Sequence, residues 1–594
     1  MPKFSLRRTS APAAIALAAI ALAAIALALS AIAWASHPTN PPAAKTTGVT
    51  AWPRAATTIA TTPKPGQPGI TLPNPTHWPS NPRQAALIRR GRFLAVAGDC
   101  LPCHSVVGEP AFAGGRAVGT PFGTVFSPNI TPSKRDGIGA WSNQQFWRAL
   151  HNGIEPGASL LVFPKYEYPV MPDTAFSKLT YPDVMALKAY LDSLAPAPIK
   201  DRPDTMAFPT DLRAGLLAWR LLYFHPHPVR DQPGWNQNTR RGAYLVQALE
   251  HCDACHTPRN IAMASIHSRY LAGGPILAQA WYAPNITQSK RDGIGAWSNH
   301  ALLAYLHDNG DMTQGAPFGK MKTVVDDSLS RLPKQDVSDI VDYLRTIKPK
   351  PSTFPAARNT GSIAAGKILY HDECARCHQD NGVGVTNNIP NLAHNQAVWN
   401  GSPNNLIAMM LGGFAPWHPD QTAMPRFGTI LSDQQIAAIA NYVRVSWGNR
   451  GKPDATSGQV AALRATKTIM IDLNTGSTRA SLTTGPHARR FTDITGRLWF
   501  NGNRTDCRLN ANFSTEYNKH PVLLAGTCTD HGNRLQGRAT LNGKTFPVSL
   551  RLQQIYTGNH ITALDLSGDL SGDRSGPPHR SHLNAQIALT TVNY

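Results

Sequence analysis

The sequence predicts a mainly α-helical chain of three tandem units, followed by a C-terminal antiparallel β-sandwich or barrel. The motif Cys-x-x-Cys-His occurs three times, at 100–104, 252–256 and 374–378, and helical stretches flank each copy. From about Lys467 the pattern changes to short alternating stretches separated by Asn-Gly and Ser-Gly turns. With 594 residues, 42% of them hydrophobic, the chain can form several cores.

The N-terminal region predicts export. Three basic residues precede a run of Ala, Ile and Leu from Ala11 to Ala35, which ends in Ala33-Trp34-Ala35, the form of a signal peptidase site. We expect a signal peptide over residues 1–35; an uncleaved anchor is the alternative, because the run is long enough to cross a bilayer. Either places the remaining chain on the periplasmic face of the cytoplasmic membrane. Residues 36–82, rich in Pro, Thr and Ala, predict an extended linker.

The three motifs have the sequence that attaches c-type haem. Two thiols form thioether bonds with the vinyl groups of one porphyrin, and the adjacent histidine becomes the proximal iron ligand. The prediction is three covalent haems, attached through Cys100, Cys103, Cys252, Cys255, Cys374 and Cys377, with His104, His256 and His378 as iron ligands. Structural zinc or a redox dithiol is the alternative, but tetrahedral zinc needs four ligands and each cysteine pair here is isolated.

Each motif lies in the same kind of helical unit. A glycine on the helix before the motif pairs with a tyrosine on the last helix, so that the two helices can cross closely, as in small one-haem cytochromes c. The glycines are Gly91, Gly242 and Gly366, and the tyrosines are Tyr190, Tyr343 and Tyr442. Capping patterns predict the last helices over 180–191, 333–344 and 432–445. The predicted cytochrome c domains, called units 1, 2 and 3, span 83–200, 236–350 and 351–452, with a connector at 201–235.

The sixth iron ligand is expected in the segment before each last helix. Met171, Met321 and Met424 lie there, 67, 65 and 46 residues after the proximal histidines. A thioether ligand raises the reduction potential relative to two histidines. Rival ligands remain, namely Met312, His151, His307 and His418.

Units 1 and 2 are a duplicated pair. The sequence Pro128–Asn143 recurs as Pro284–Asn299 with one change, Pro132 to Gln288. We interpret this Gly-rich loop as a brace on the distal side of the haem; packing on a haem edge or lining a partner surface is the alternative. Unit 3 lacks the loop.

Together these motifs resemble the trihaem cytochrome c subunits of membrane-bound bacterial dehydrogenases that oxidise alcohols, gluconate or sorbitol. The resemblance covers about Arg83–Trp447 and includes Cys252–Asn260, the two Asn-Ile-Thr loops and Tyr168–Pro172. It implies that a periplasmic catalytic subunit, a quinoprotein or flavoprotein, supplies electrons and that membrane ubiquinone receives them. It also implies His104, His256 and His378 as proximal ligands and Met171, Met321 and Met424 as distal ligands. The chain would then not be catalytic alone.

Two other functions remain open. A peroxidase-like multihaem enzyme would need one five-coordinate iron, and unit 3 is the candidate because its His-to-Met spacing differs. A cytochrome subunit that feeds a terminal oxidase is the second. The net charge of +21 suggests an acidic partner or anionic lipid headgroups, since an exported cytochrome has no nucleic acid to bind.

Residues 453–594 form a separate β-rich segment without a haem motif. Asn542-Gly543 between two alternating runs predicts a hairpin. Cys507 and Cys528 are the two cysteines outside the haem motifs, and in an oxidising compartment we expect them to form a disulfide. The segment is predicted to dock or anchor the protein, or else to be a passive stabilising appendage.

Overall fold

The computed structural model describes Ile59, residues 70–466 with short gaps, and the strands of the C-terminal segment between residues 469 and 588. The gaps are 107–108, 160–162, 277–280, 312–313, 351–359, 386–387, 400 and 415–421. The predicted signal peptide and nearly all of the predicted linker before residue 70 lie outside the described residues. Residues 70–80 pack on the helical units: Leu72 is buried, and the carbonyl of Pro73 accepts a hydrogen bond from Tyr190 Oη at 2.8 Å.

Two crossing helices form the frame of each unit, as predicted. A Cβ atom added to Gly91 would lie 1.8 Å from the Ala186 carbonyl oxygen; the distances are 1.8 Å from Gly242 to Asp339 and 2.0 Å from Gly366 to Ala438. The side chains of the three predicted tyrosines adjoin these crossings. The paired helices are Pro82–Ala97 with Tyr181–Asp192, Gln237–Tyr244 with Lys334–Arg345, and Thr360–Glu373 with Asp433–Val445.

The last helix of each unit begins where the sequence predicts. Thr180 caps the first one through the amide of Asp183, and Pro333 is the N-cap of the second. In the third, Ser432 and Gln435 form a reciprocal capping box. The caps at Thr180 and Ser432 satisfy backbone donors that a helix N-terminus leaves unpaired, so these two helix starts are determined locally; Pro333 makes no side-chain cap hydrogen bond.

Shorter elements complete the units. The other helices are Cys100–Cys103, Asn143–Asn152, Asp173–Phe176, Leu216–Tyr223, Asp253–His256, Asn299–His307, Lys320–Asp327, Ala375–His378, Gln396–Trp399, Asn404–Gly412 and Ser457–Thr466, with a π-helical turn at Leu245–Leu249. Small antiparallel sheets join Ala117–Thr120, Gly123–Phe126 and Thr205–Met206; Ile154–Ser159 and Phe163–Tyr166; and Gly274–Ile276 and Trp281–Ala283. No helix in the described part of the chain is long and apolar enough to cross a membrane.

Unit 3 extends beyond residue 452. Val460 and Leu463, on the helix Ser457–Thr466, are buried in the core of this unit, and Arg464 forms an ion pair with Asp433 at 2.8 Å. The helical part of the chain therefore continues to Thr466.

The three units pack on one another through buried polar contacts. Between units 1 and 2, Tyr244 Oη donates to Asp183 at 2.6 Å, and Ser328 Oγ bonds both the Val96 carbonyl and Glu250. Between units 2 and 3, Asn405 makes two hydrogen bonds with the backbone of Tyr282, at 2.9 and 2.8 Å.

The C-terminal segment forms one ten-stranded antiparallel sheet. In spatial order the strands are His487–Phe491, Arg479–Thr484, Ser581–Ala588, His560–Leu570, Lys544–Thr557, Arg534–Leu541, Val522–Thr529, Cys507–Ser514, Asp493–Phe500 and Ile469–Leu473. Leu541 pairs with Lys544, which fits a two-residue hairpin at Asn542-Gly543, itself outside the described residues.

The predicted antiparallel strands are therefore present, but their predicted closure is not confirmed. The described strands form a single sheet, and the two edge strands, Ile469–Leu473 and His487–Phe491, are not paired with each other. Neither a sandwich of two sheets nor a closed barrel is seen in this described part.

Candidate haem-binding sites

The predicted proximal histidine of each motif has its Nδ1 facing a proline carbonyl. His104 Nδ1 donates to the carbonyl of Pro128 at 2.9 Å, and His256 Nδ1 donates to Pro284 at 2.7 Å. In unit 3, His378 Nδ1 faces the carbonyl of Pro390 at 3.3 Å. A proton on Nδ1 leaves Nε2 with its lone pair, which is the arrangement that metal-bound histidines require.

Burial favours the neutral form of these histidines. It lowers the pKa of His104, His256 and His378, while the hydrogen bond to a proline carbonyl acts in the opposite direction. The lowered pKa keeps the imidazole neutral near pH 7, and a neutral imidazole is the form that binds iron.

The accepting prolines share a signal that sequence reasoning missed. Each is followed by asparagine and an aliphatic residue, as Pro128-Asn129-Ile130, Pro284-Asn285-Ile286 and Pro390-Asn391-Leu392. The first two begin the duplicated loop, so this loop starts at the histidine of the motif; the interpretation of the rest of the loop as a distal brace stays a prediction. Unit 3 keeps the Pro-Asn pair although it lacks the rest of the loop.

In units 1 and 2 the asparagine fixes the proline carbonyl in place. Asn129 Oδ1 accepts from the amide and hydroxyl of Thr131 at 2.9 and 2.7 Å, and Nδ2 donates to Ala197 at 2.9 Å. Asn285 makes the equivalent bonds to Thr287, and its Nδ2 donates to Lys350 at 2.8 Å. These bonds tie the loop to the segment that follows the last helix of the unit.

The cysteines of each motif lie on a single helical turn, as the thioether chemistry requires. The amide of each histidine donates to the carbonyl of the first cysteine at 2.9 Å in all three motifs, Cys100, Cys252 and Cys374. Beside Cys100 lies an apolar cavity lined by Leu94, Leu150, Phe176, Leu179 and Leu187. Two thiols on one helical turn beside a histidine whose Nδ1 is already bonded fit a covalently bound porphyrin. The described residues contain no cluster of three or more His, Cys, Asp or Glu that could hold a metal ion.

The predicted distal methionines occupy three different backbone settings. Met171 follows a turn closed by its amide on the Tyr168 carbonyl at 3.1 Å. Met321 is the second residue of the helix Lys320–Asp327, and not in a loop. Met424 pairs with Phe414 in an isolated β-bridge and packs against the core of unit 3. All three are half-buried, and their ligation of iron stays a prediction.

Known proteins match the chain over much of its length. The family described as Cytochrome c matches residues 363–447. The gluconate 2-dehydrogenase cytochrome c subunit of Pantoea cypripedii is 35% identical over 65% of this chain and 91% of its own length. The quinone-dependent alcohol dehydrogenase cytochrome c subunit of Gluconacetobacter polyoxogenes is 34% identical, over 64% of this chain and 85% of its own length. The fructose dehydrogenase cytochrome subunit of Gluconobacter japonicus is 36% identical, over 64% and 82%.

The chain belongs to this family of dehydrogenase cytochrome c subunits. The family supports covalently bound c-type haem as its cofactor, and attachment through the three cysteine pairs stays a prediction. Family membership confirms the resemblance found in the sequence.

The rival distal ligands of this cytochrome c subunit differ in their contacts. Both ring nitrogens of His307 are engaged, Nδ1 with Asp308 at 2.6 Å and Nε2 with the Leu332 carbonyl at 3.2 Å, which disfavours it as a ligand. His151 stacks on Trp147 with ring centres 4.2 Å apart, and its buried Nδ1 has no partner. Met312 and His418 lie outside the described residues.

Proposed function

We propose that this chain is a three-haem electron relay. It takes electrons from a partner dehydrogenase subunit that oxidises alcohols, sugars or sugar acids, and passes them to ubiquinone at the periplasmic face of the cytoplasmic membrane. The observation that carries the proposal is the threefold recurrence of one arrangement: a Cys-x-x-Cys-His turn whose histidine donates Nδ1–H to a Pro-Asn carbonyl.

A relay needs irons whose two axial positions are filled. Three pairs of residues would hold the three haem irons: His104 with Met171, His256 with Met321, and His378 with Met424. Each iron would accept or give up one electron at a time. With both positions occupied, no iron has an open site for a substrate. Oxidation of the organic substrate then takes place on the partner subunit.

The names of the relatives support the class of the electron donor. They are cytochrome subunits of gluconate, alcohol and fructose dehydrogenases. Gluconate, alcohols and fructose all carry hydroxyl groups. We therefore propose a donor of the same class for this chain.

Haem count and electron exchange test the proposal together. The exported protein should contain three haems per chain by intact mass and pyridine haemochrome analysis, and its reduced haems should exchange electrons with a short-chain ubiquinone. All three ferric haems should show the weak far-red band of methionine ligation. Two haems or fewer would contradict the count. A high-spin haem with turnover of hydrogen peroxide would instead support the peroxidase-like alternative.

We also propose that Cys507 and Cys528 form a disulfide within the β-rich segment. Arg508 pairs with Thr527, so continuing the register by one residue places the two cysteines opposite each other on neighbouring strands. Closing this loop of about 21 residues would stabilise the segment by about 3 kcal/mol in the chain-entropy account.

Peptide mapping without reduction checks the disulfide and should recover one linked peptide. Two free thiols on the exported protein would contradict it. A chain that ends after Thr466 should keep all three haems, because the core of unit 3 is complete at that residue. If that chain also keeps normal membrane association and quinone reduction, the segment is a passive appendage rather than a docking module.

A further inference from the structure

The connector between units 1 and 2 forms an exposed apolar surface. Ile261 is 100% exposed, Phe208 79% and Leu222 66%. We call this region the connector surface; it consists of Phe122, Phe208, Leu212, Leu221, Leu222 and Ile261. Scattered apolar residues are normal on protein surfaces, whereas a contiguous group indicates a binding surface.

Hydrogen bonds attach two outlying segments to the connector, one at each end of the stretch 207–222. The amide of Ala207 donates to the Phe122 carbonyl at 2.8 Å, so Phe122 and Phe208 adjoin. Trp219 Nε1 donates to the carbonyl of Ala262 at 2.7 Å, which attaches the Ile261 loop to the helix Leu216–Tyr223.

The two charged residues of the helical stretch 212–222 point into the protein. Arg213 forms ion pairs with Glu155 at 2.7 Å and Asp204 at 2.8 Å. Arg220 pairs with Asp173 at 3.2 Å and stacks on Phe224. These ion pairs hold the helix so that its apolar face stays outward.

The outward face offers nothing for a hydrogen bond from a side chain. The exposed residues between 212 and 222 are Leu212, Gly215, Ala218, Leu221 and Leu222. A protein partner's interface typically carries about one hydrogen bond per 100–200 Å². Hydrocarbon needs none, so this face is suited to lipid rather than to a protein subunit.

Charge adds a weaker attraction between the protein and lipid. Near the connector, exposed Arg202 and Arg230 are offset by exposed Asp201 and Asp211. The net charge of +21 belongs to the chain as a whole and favours anionic headgroups. Anionic lipid should therefore strengthen binding, while apolar contact supplies its core.

We propose that the connector surface inserts shallowly into the interfacial region of a lipid bilayer, as amphipathic surface helices do. Ile261 lies five residues after His256, so this contact brings the unit 2 site beside the membrane. The inference rests on the proposed function, in which ubiquinone in the membrane accepts the electrons, and it names the surface that meets that membrane.

Vesicle flotation of the exported, haem-loaded protein tests the inference. Leu221→Gln/Leu222→Gln and Ile261→Gln remove apolar contact without adding charge. The matched control is Ile368→Gln, because Ile368 is 65% exposed on unit 3, outside the connector surface. The double variant should bind phosphatidylcholine vesicles about tenfold less than the parent, Ile261→Gln less than the parent, and the control like the parent. Adding phosphatidylglycerol should increase binding of every form.

Retained haem absorbance and circular dichroism show that the variants are folded. Unchanged vesicle binding by both variants would overturn the inference. So would normal vesicle binding combined with loss of the partner dehydrogenase on purification, because the surface would then contact a protein. A water-soluble ubiquinone analogue tests the proposed relay separately from the proposed membrane contact. If the parent protein does not exchange electrons with this analogue, the relay is contradicted. The membrane contact is decided by vesicle binding alone.

Discussion

Units 1 and 2 hold their proximal histidines with a longer and better-anchored loop than unit 3. The accepting proline follows the histidine by 24 and 28 residues in the duplicated pair and by 12 in unit 3. The hydrogen bonds are 2.9 and 2.7 Å against 3.3 Å. The buried Oδ1 of Asn391 has no partner, whereas the same atom of Asn129 accepts two bonds. Two different loops thus supply the same contact between a proline carbonyl and the histidine. The three units share this contact, and they do not share the loop.

The largest expected effect tests what all three units share. Gly91→Ala, Gly242→Ala and Gly366→Ala each place a methyl group within about 2 Å of a backbone carbonyl, so each should destabilise its unit by more than about 3 kcal/mol. Thermal unfolding and haem content measure the loss. Gly119→Ala is the control, because its added methyl group meets nothing within 4 Å. If unit 3 alone tolerated the change, its helix crossing would not be equivalent.

Removing a predicted distal methionine should change the haem of its own unit only. Met171→Ala, Met321→Ala and Met424→Ala should each lower one haem potential and remove one far-red band, because a soft donor that favours ferrous iron is lost. Redox titration with optical detection reads both. Met185→Ala, inside the helix Tyr181–Asp192, should leave the bands intact. An unchanged spectrum for Met321→Ala would identify Met312 or a histidine as the ligand.

The asparagine that follows the accepting proline should contribute more stability in units 1 and 2 than in unit 3. Asn129→Ala or Asn285→Ala leaves several buried groups without partners and should cost about 2 kcal/mol or more. Asn391→Ala should cost about 1 kcal/mol or less, since its Oδ1 has no bond to lose. Denaturant unfolding of the three variants gives the ranking. Equal losses of unfolding free energy in all three variants would show that the asparagine hydrogen bonds do not distinguish the units.

The last effect depends on pH and concerns Asp99, the residue before the first motif. Burial and the nearby Asp327 raise the pKa of Asp99 to about 8, against an ordinary value of 3.8. The folded state therefore binds more protons than the unfolded state between about pH 4 and pH 8, and stability falls as pH rises through this range. Asp99→Asn should flatten that slope in denaturant unfolding. An unchanged slope in the Asp99→Asn variant would contradict this prediction.

Sequence patterns predicted the parts of the fold that depend on neighbouring residues. Thr180 and Ser432 start helices through bonds three residues away, and the Cys-x-x-Cys-His turn needs only one helical turn. The Gly91 crossing was also predictable, because only glycine permits so close an approach and the pattern recurs three times. These features are determined by local chemistry and repetition.

The bounds of some C-terminal strands escaped prediction. The alternating pattern from about Lys467 predicted an antiparallel β segment, but it did not give the bounds of strands such as Arg479–Thr484 and His560–Leu570. Strand pairing depends on partners far along the chain, as when Arg479–Thr484 pairs with Ser581–Ala588, so alternation alone leaves the bounds open.

By itself, the sequence determined that this protein is a dehydrogenase cytochrome c subunit with three Cys-x-x-Cys-His motifs, which predict haem attachment. Covalent chemistry requires those residue types at fixed short spacing, so they can be read without a fold. The tertiary structure decided which carbonyl orients each histidine, how the units pack, and that Arg213 and Arg220 turn inward to leave an apolar face on the connector. Each of these depends on contacts between residues distant in the chain, where many partners are compatible with the sequence and only packing selects one.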